Sequence, residues 1–315
     1  MVTGQVRAFV RRHPAVRHAT RQLRIRLPRR LGGLDPARVP PRVRRFSLML
    51  PRRADGPAGG PDELRISVPG DLSIPARLHR YGLAGYRPDA LACFLAALET
   101  VRPGAVLDVG ANVGVYAALA AARSGRDVYA FEPCPQAARA ARAIAADNGL
   151  RMEVVDLALS NHTGSARLHL SATSDATNSL TPGFRPEVGR IPVRVGQLSH
   201  WREEAGAAPA IIKIDTGSTE PDVVAGGLEV LRRFRPWVLC EVLPGRGIGD
   251  RLTALLDPLD YHWYRLDGPP PHAPRPSITD GPGRRGRMWL FAPSPAPDRL
   301  WTRARQWREA LDRCR

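Results

Sequence analysis

Val106-Leu107-Asp108-Val109-Gly110-Ala111-Asn112-Val113-Gly114 runs from an apolar stretch into a glycine-flanked turn and on into Val115-Tyr116-Ala117. That order predicts a buried strand, a tight turn, and a helix whose first amide hydrogens stay free for a ligand. Asp127-Val128-Tyr129-Ala130-Phe131 reads as the next strand and stops at Glu132, an acid placed where a ribose diol lies beside such a turn. Turn and acid together point to an adenosine-containing cofactor.

The turn also narrows the cofactor. A dinucleotide turn needs a central glycine so that the backbone can approach a pyrophosphate, and Asn112 fills that place. Asp108 adds a carboxylate that repels phosphate and attracts the ammonium and sulfonium end of S-adenosylmethionine. The expected cofactor-binding residues are Asp108, Gly110, Asn112, Gly114 and Glu132, with Asp156, near the end of the third strand, at the adenine edge.

These residues resemble the FkbM-type S-adenosylmethionine-dependent methyltransferases, in which a D-x-G-A-N-x-G turn is followed by an F-E-P strand end. The chain carries Asp108 to Gly114 in that pattern and Phe131-Glu132-Pro133 after it. Ala158-Leu159-Ser160-Asn161 with Gly164 is similar to the family's A-L-S-[DN]-x-x-G, and Ile212-Lys213-Ile214-Asp215 to its I-K-I-D strand. The likeness covers roughly residues 80 to 293, and its specificity lies in the four segments occurring together and in order. It implies an α/β fold with a Rossmann-like doubly wound sheet of the class I methyltransferase type, here with a basic N-terminal extension. It also implies O-methylation of a sugar or secondary-metabolite hydroxyl.

The chain departs from the family in two places. Where the family continues I-K-I-D with V-E-G-x-E, Thr216-Gly217-Ser218-Thr219-Glu220 stands, so only Glu220 matches. Where the family has T-L-D, the chain reads Gln197-Leu198-Ser199. The first departure, Thr216-Gly217-Ser218, motivates a rival reading as a cofactor-binding protein without turnover. A nucleotide-dependent oxidoreductase is disfavoured by Asn112.

With 315 residues the chain can bury one full α/β core with extensions. Its net charge of +17 is concentrated at the N-terminus: residues 1 to 60 hold fifteen arginines against Asp35 and Asp55. This favours recruitment to an anionic membrane surface over nucleic-acid binding, because no stacking aromatics accompany the charge. Lys213 is the sole lysine. Cys93, Cys134, Cys240 and Cys314 form neither a C-x-x-C pair nor a metal spacing, so reduced thiols in a cytoplasmic protein are expected and no residue is assigned to a metal. No apolar run approaches the ~18 residues of a membrane span.

The expected organisation is a largely disordered Pro/Arg-rich tail (1–60), a cap (61–104), the methyltransferase domain (105–293) and a basic surface helix near the C-terminus (294–315). Leu64, Ile66, Val68, Leu72, Ile74 and Leu78 predict two short strands or a hairpin. Leu91, Phe94, Leu95, Leu98 and Val101 predict a core-facing helix. Residues 171–186 are expected to form a mobile loop over the pocket, and Glu220 to Phe234 one helix.

Asp215 is the first candidate for a catalytic base, because it ends the fourth strand on the same sheet edge as Asp108 and Glu132. Glu241, towards the end of the fifth strand, is the second. The acceptor is expected to be a small-molecule or glycan hydroxyl. Glu220 and Asp222 are explained by the helix dipole, and His162 by a solvated turn.

Overall fold

The structure, a computed structural model, describes residues 43–53, 60–279 and 287–314. The basic segment 1–42, with its expected disorder and membrane attachment, lies outside the described residues, as does 54–59.

Apolar runs bounded by turns form the strands of an eight-stranded sheet. Its parallel heart is β3 (Ala105–Val109), β4 (Val128–Phe131), β5 (Glu153–Val155), β9 (Pro209–Ile214) and β10 (Trp237–Glu241). Antiparallel strands β11 (His262–Arg265), β12 (Pro274–Arg275) and β13 (Met288–Ala292) complete one edge, in the order β12-β11-β13-β10-β9-β3-β4-β5. The chain winds outward through β3, β4 and β5, then returns to start β9 on the other side of β3. The switch in winding therefore falls between β3 and β9, and the crevice at their carboxyl ends is where ligands bind in such sheets.

Strand alternation divides the core. Val106, Leu239 and Leu290 face one layer with Leu91, Phe94 and Tyr116. Leu107, Ile212, Val238 and Phe291 face the other with Val223, Leu231 and Leu252. The first layer holds helices α2 (Pro88–Thr100) and α3 (Val115–Arg123), and α4 (Pro135–Asp147) follows β4.

Several elements differ from expectation. Residues 43–49, assigned to the tail, form strand β1 (Val43–Met49), which pairs antiparallel with β2 (Glu63–Pro69) from Val43 opposite Pro69 to Met49 opposite Glu63. The adjacent Arg44 and Arg45 mask the alternation of Phe46, Leu48 and Leu50, of which Leu48 and Leu50 are buried against Leu64 and Ile66. Leu72, Ile74 and Leu78 belong to helix α1 (Ser73–Tyr81) and its N-cap, not to a second strand, because their spacing also fits one helical face. After β6 (Ala158–Leu159), the hairpin β7 (Gly164–Ser171) and β8 (Glu187–Gly196) forms a separate small sheet. Beyond α5 (Leu198–Ala205), the expected single helix is broken at Gly226-Gly227 into α6 (Glu220–Gly226) and α7 (Leu228–Phe234). Helix α8 (Ile248–Leu256) precedes β11.

The C-terminal helix α9 (Asp298–Asp312) is basic only outside. Leu300, Trp301, Ala304, Trp307 and Leu311 form a buried stripe, and the Trp307 indole donates to Glu99 of α2 at 3.1 Å. All four cysteines are buried and free. Among the described residues no helix is long and apolar enough to cross a membrane.

If β1 belongs to the folded unit, Leu48→Ala is expected to destabilise it by about 2–5 kcal/mol in urea unfolding. Met49→Ala, at a side chain 54% exposed, should change stability by less than ~0.5 kcal/mol. Equal, small effects at both positions would show that the strand contributes nothing.

Candidate active site

A cleft opens at the carboxyl ends of β3, β4 and β9, the edge where ligands bind in such sheets. Gly110, Asn112, Glu132, Asp175, Asp215 and Thr216 supply much of its polar wall, and Phe131, Leu157, Leu168 and Leu180 its apolar wall. Among the described residues no lysine or arginine lines it, so the cleft suits a cationic ligand better than a phosphate.

The turn after β3 is built by backbone geometry. Gly110 has φ 71°, and a Cβ there would stand 2.1 Å from the Asp215 carbonyl oxygen, so only glycine lets the ends of β3 and β9 approach this closely. Asn112 also has positive φ (51°), and its Oδ1 accepts from the Val113 amide at 2.9 Å. The Asn112 amide donates to Glu132 Oε2 at 2.8 Å, and the Cys134 amide to Oε1 at 2.7 Å. Burial pushes the Glu132 carboxyl up to about 7, against these two donors, which favour the charged form. The expected ribose acid therefore lines the cleft with both oxygens already fixed in place.

Three expected cofactor residues have other positions. Asp108 is fully buried and absent from the lining, because strand alternation turns it away from the Val109 face towards α3. There it pairs with Lys213 Nζ at 2.9 Å and accepts from the Ala117 amide at 3.1 Å. Lys213 Nζ also donates to the Gly110 carbonyl at 2.8 Å, so the pair braces the turn from behind. Gly114 (φ 77°) serves as the N-cap of α3 and does not line the cleft. Asp156 is exposed and bound by Arg142 at 2.9 Å, because β5 ends at Val155 and the chain then directs Leu157 and Ala158 to the cleft.

Asp215 lines the cleft and Glu241 lies next to it, joined by a residue the sequence did not single out. Arg87 Nη1 donates to Asp215 Oδ2 at 2.9 Å and Nη2 to Glu241 Oε1 at 2.6 Å. Burial opposes ionisation of Asp215, yet Arg87 and Lys213 hold its carboxyl below the usual range. Burial, and then Asp215 itself, push Glu241 up to about 8. Arg87 sits in a left-handed conformation (φ 47°) at the N-cap of α2, where the following Pro88 disfavours a right-handed helical one. A lone arginine between Tyr86 and Pro88, heading an apolar helix, was the available signal.

Asp175 was also missed. It lies on the 3-10 turn Asp175–Thr177 of the loop expected to cover the pocket, and that loop does line the cleft. Asp175 Oδ1 accepts from the Ser73 amide at 2.7 Å, and Oδ2 from the Asn112 side chain at 3.5 Å. Ser179 Oγ ties the loop to the Gly217 carbonyl at 2.5 Å. His162 is exposed and contacts Asn161. Thr219 caps α6 by position only, since its hydroxyl donates to Thr216. Glu220 instead reaches back, Oε1 accepting from the Thr216 amide at 2.8 Å and the Ser218 amide at 3.3 Å. Burial pushes its carboxyl up to about 7. Asp215, Glu220 and Glu241 are close enough for one oxygen of each to share a cation.

The family profile described as Methyltransferase FkbM domain matches residues 108–265, half of the chain. No curated protein matches significantly. Among solved structures, the chain is similar to methyltransferase FkbM from Methylobacillus flagellatus KT, at 15% identity and a TM-score of 0.41. That match covers 60% of this chain and 43% of the other, so the chain spans less than half of that protein's length. A SAM-dependent methyltransferase from Agrobacterium tumefaciens is similar at 12% identity and a TM-score of 0.38, over 79% of this chain and 70% of that one. An rRNA methylase from Streptococcus thermophilus is similar at 16% identity and a TM-score of 0.36, over 64% and 91%.

Proposed function

The chain belongs to the FkbM methyltransferase family, and from that premise we propose that it methylates a hydroxyl group of a sugar or secondary metabolite. S-adenosylmethionine is the expected cofactor, and when bound it supplies an electrophilic methyl group on a sulfonium. The observation that carries the reading is Glu132, a buried carboxylate aligned by the Asn112 amide on the wall of a cleft that no lysine or arginine lines among the described residues.

The chain's own residues divide the work of alignment and exclusion of water. Glu132 accepts hydrogen bonds from the ribose hydroxyls. Asp175 and Asp215 offer negative charge to the ammonium and sulfonium end. Phe131, Leu157 and Leu180 keep water from the reacting centre. Asp215, kept ionised by Arg87, accepts a hydrogen bond from the acceptor hydroxyl, and its depressed basicity makes orientation its main contribution.

Calorimetry tests the cofactor site. Glu132→Gln is expected to weaken S-adenosylmethionine binding tenfold or more, because an amide offers one acceptor where two are needed. Affinity should also fall roughly tenfold between pH 8 and pH 6 as Glu132 takes up a proton through about 7. The sign for the free protein is opposite. A carboxyl raised from 4.5 to about 7 stabilises the fold at low pH, and that contribution is lost as pH rises through 7. Undiminished binding in Glu132→Gln would remove the pocket from the reading. A screen of sugar and polyketide hydroxyls with labelled cofactor tests transfer, and binding without methylation of any acceptor would favour a non-catalytic cofactor-binding protein.

A further inference from the structure

We infer that Asp215, Glu220 and Glu241 form a site for one divalent cation of the magnesium or manganese class, in the back wall of the cleft. The three residues follow β9, open α6 and close β10, so three separate elements deliver them to one point. One oxygen from each lies within 4.8 Å of the other two. Three carboxylate oxygens are hard donors, the set that magnesium and manganese take in preference to softer metals.

A cluster of acids alone would not carry this, and Glu220 provides the second observation. It is fully buried, and the Thr216 and Ser218 amides occupy Oε1. Oε2 is buried too and has no hydrogen-bond partner among the described residues. An orphan carboxylate oxygen in the interior requires an ion, a water or a proton, and here it belongs to a group whose members face one another.

Charge leads to the same place. Arg87 binds one oxygen of Asp215 and one of Glu241, and the two carboxyl groups also share a hydrogen bond that a cation would replace. Lys213, which could have compensated the cluster, is engaged by Asp108. Arg287 acts on Asp215 only through space. Among the described residues one guanidinium contacts the three carboxyl groups, which leaves room for a cation among them. Asp215, partly open to the cleft, gives the ion a way in and an exposed side. There the remaining coordination positions would be taken by water or by an acceptor oxygen, whose proton a bound cation loosens. That last role rests on the methyltransferase reading; the cation site itself does not.

The test is titration of the metal-free full-length protein with manganese chloride, followed by electron paramagnetic resonance and calorimetry without cofactor. One saturable manganese per chain is expected, displaced by magnesium. Glu220→Gln keeps an oxygen acceptor for the Thr216 and Ser218 amides and should fold. It is expected to lose at least the roughly tenfold in affinity that even outer partners of a metal contribute. Glu241→Gln should behave likewise, whereas Glu204→Gln, exposed on α5, should bind as the parent does. Manganese should raise the unfolding midpoint of the parent and not of Glu220→Gln. Absence of saturable binding, or equal affinity in Glu220→Gln and parent, overturns the site. Cofactor binding measured in chelator reports on the methyltransferase reading separately, so the two can fail independently.

Discussion

Lys213→Met is expected to destabilise the protein by roughly 3–5 kcal/mol, the usual consequence of stranding one charge of a buried pair. Asp108 is fully buried, its Lys213 partner stands 2.9 Å away, and both side chains are almost entirely out of solvent. Methionine fills the stem of lysine but leaves the Asp108 carboxylate with the Ala117 amide alone, and removes a donor from the Gly110 carbonyl. Adding Asp108→Asn should recover part of the loss, since the asparagine oxygen can still accept from Ala117. The double variant should therefore be more stable than the sum of the single changes predicts. Urea unfolding of the four proteins measures this. A loss below ~1 kcal/mol in Lys213→Met, or strict additivity, would show that the pair contributes little to holding the turn.

The parts of the site legible in the sequence are those whose position follows from a strand ending. Glu132 and Asp215 stop apolar runs, and a residue that stops a parallel strand stands at the ligand-binding edge whatever the rest of the chain does. Asp108 does not line the cleft because it lies before the end of its strand, where alternation, not proximity to the turn, decides which face it joins. Asp156 lies off the cleft for a related reason: β5 is short, and one residue beyond its end the chain has already turned outward.

Long-range partners were harder to see. Arg87 reaches Asp215 across 128 positions and Asp175 reaches Ser73 across 102, and neither contact leaves a local pattern. Strand β1 was hidden differently. It opens with Arg44 and Arg45, of the same kind as the arginines in the preceding segment, so composition outweighed the alternation of Phe46, Leu48 and Leu50. The closed carboxylate group has the same origin. Glu220 reads as a helix N-terminal acid, and only folding brings it within reach of Asp215 and Glu241.

Gly110→Ala is expected to have the largest effect on cofactor binding of any single methyl added to the chain. Two costs coincide at this position. An alanine at φ 71° pays the strain of a left-handed conformation, about 1–2 kcal/mol. Its Cβ would also stand 2.1 Å from the Asp215 carbonyl oxygen, a backbone atom that cannot swing aside as a side chain would. Relief requires β3 and β9 to part, which moves Asp215, the Lys213 contact to the Gly110 carbonyl and the Asn112 amide that aligns Glu132. S-adenosylmethionine affinity should fall by ~100-fold or more, equivalent to about 2.7 kcal/mol, with a loss of stability as well. Two other glycines separate the causes. Gly149 has φ 59° with open space around its missing Cβ, so Gly149→Ala should show strain alone and leave cofactor binding unchanged. Gly125 has open space and no positive φ, so Gly125→Ala should be silent in both measurements. If Gly110→Ala binds cofactor as Gly149→Ala does, the close approach of β3 to β9 does not shape the pocket.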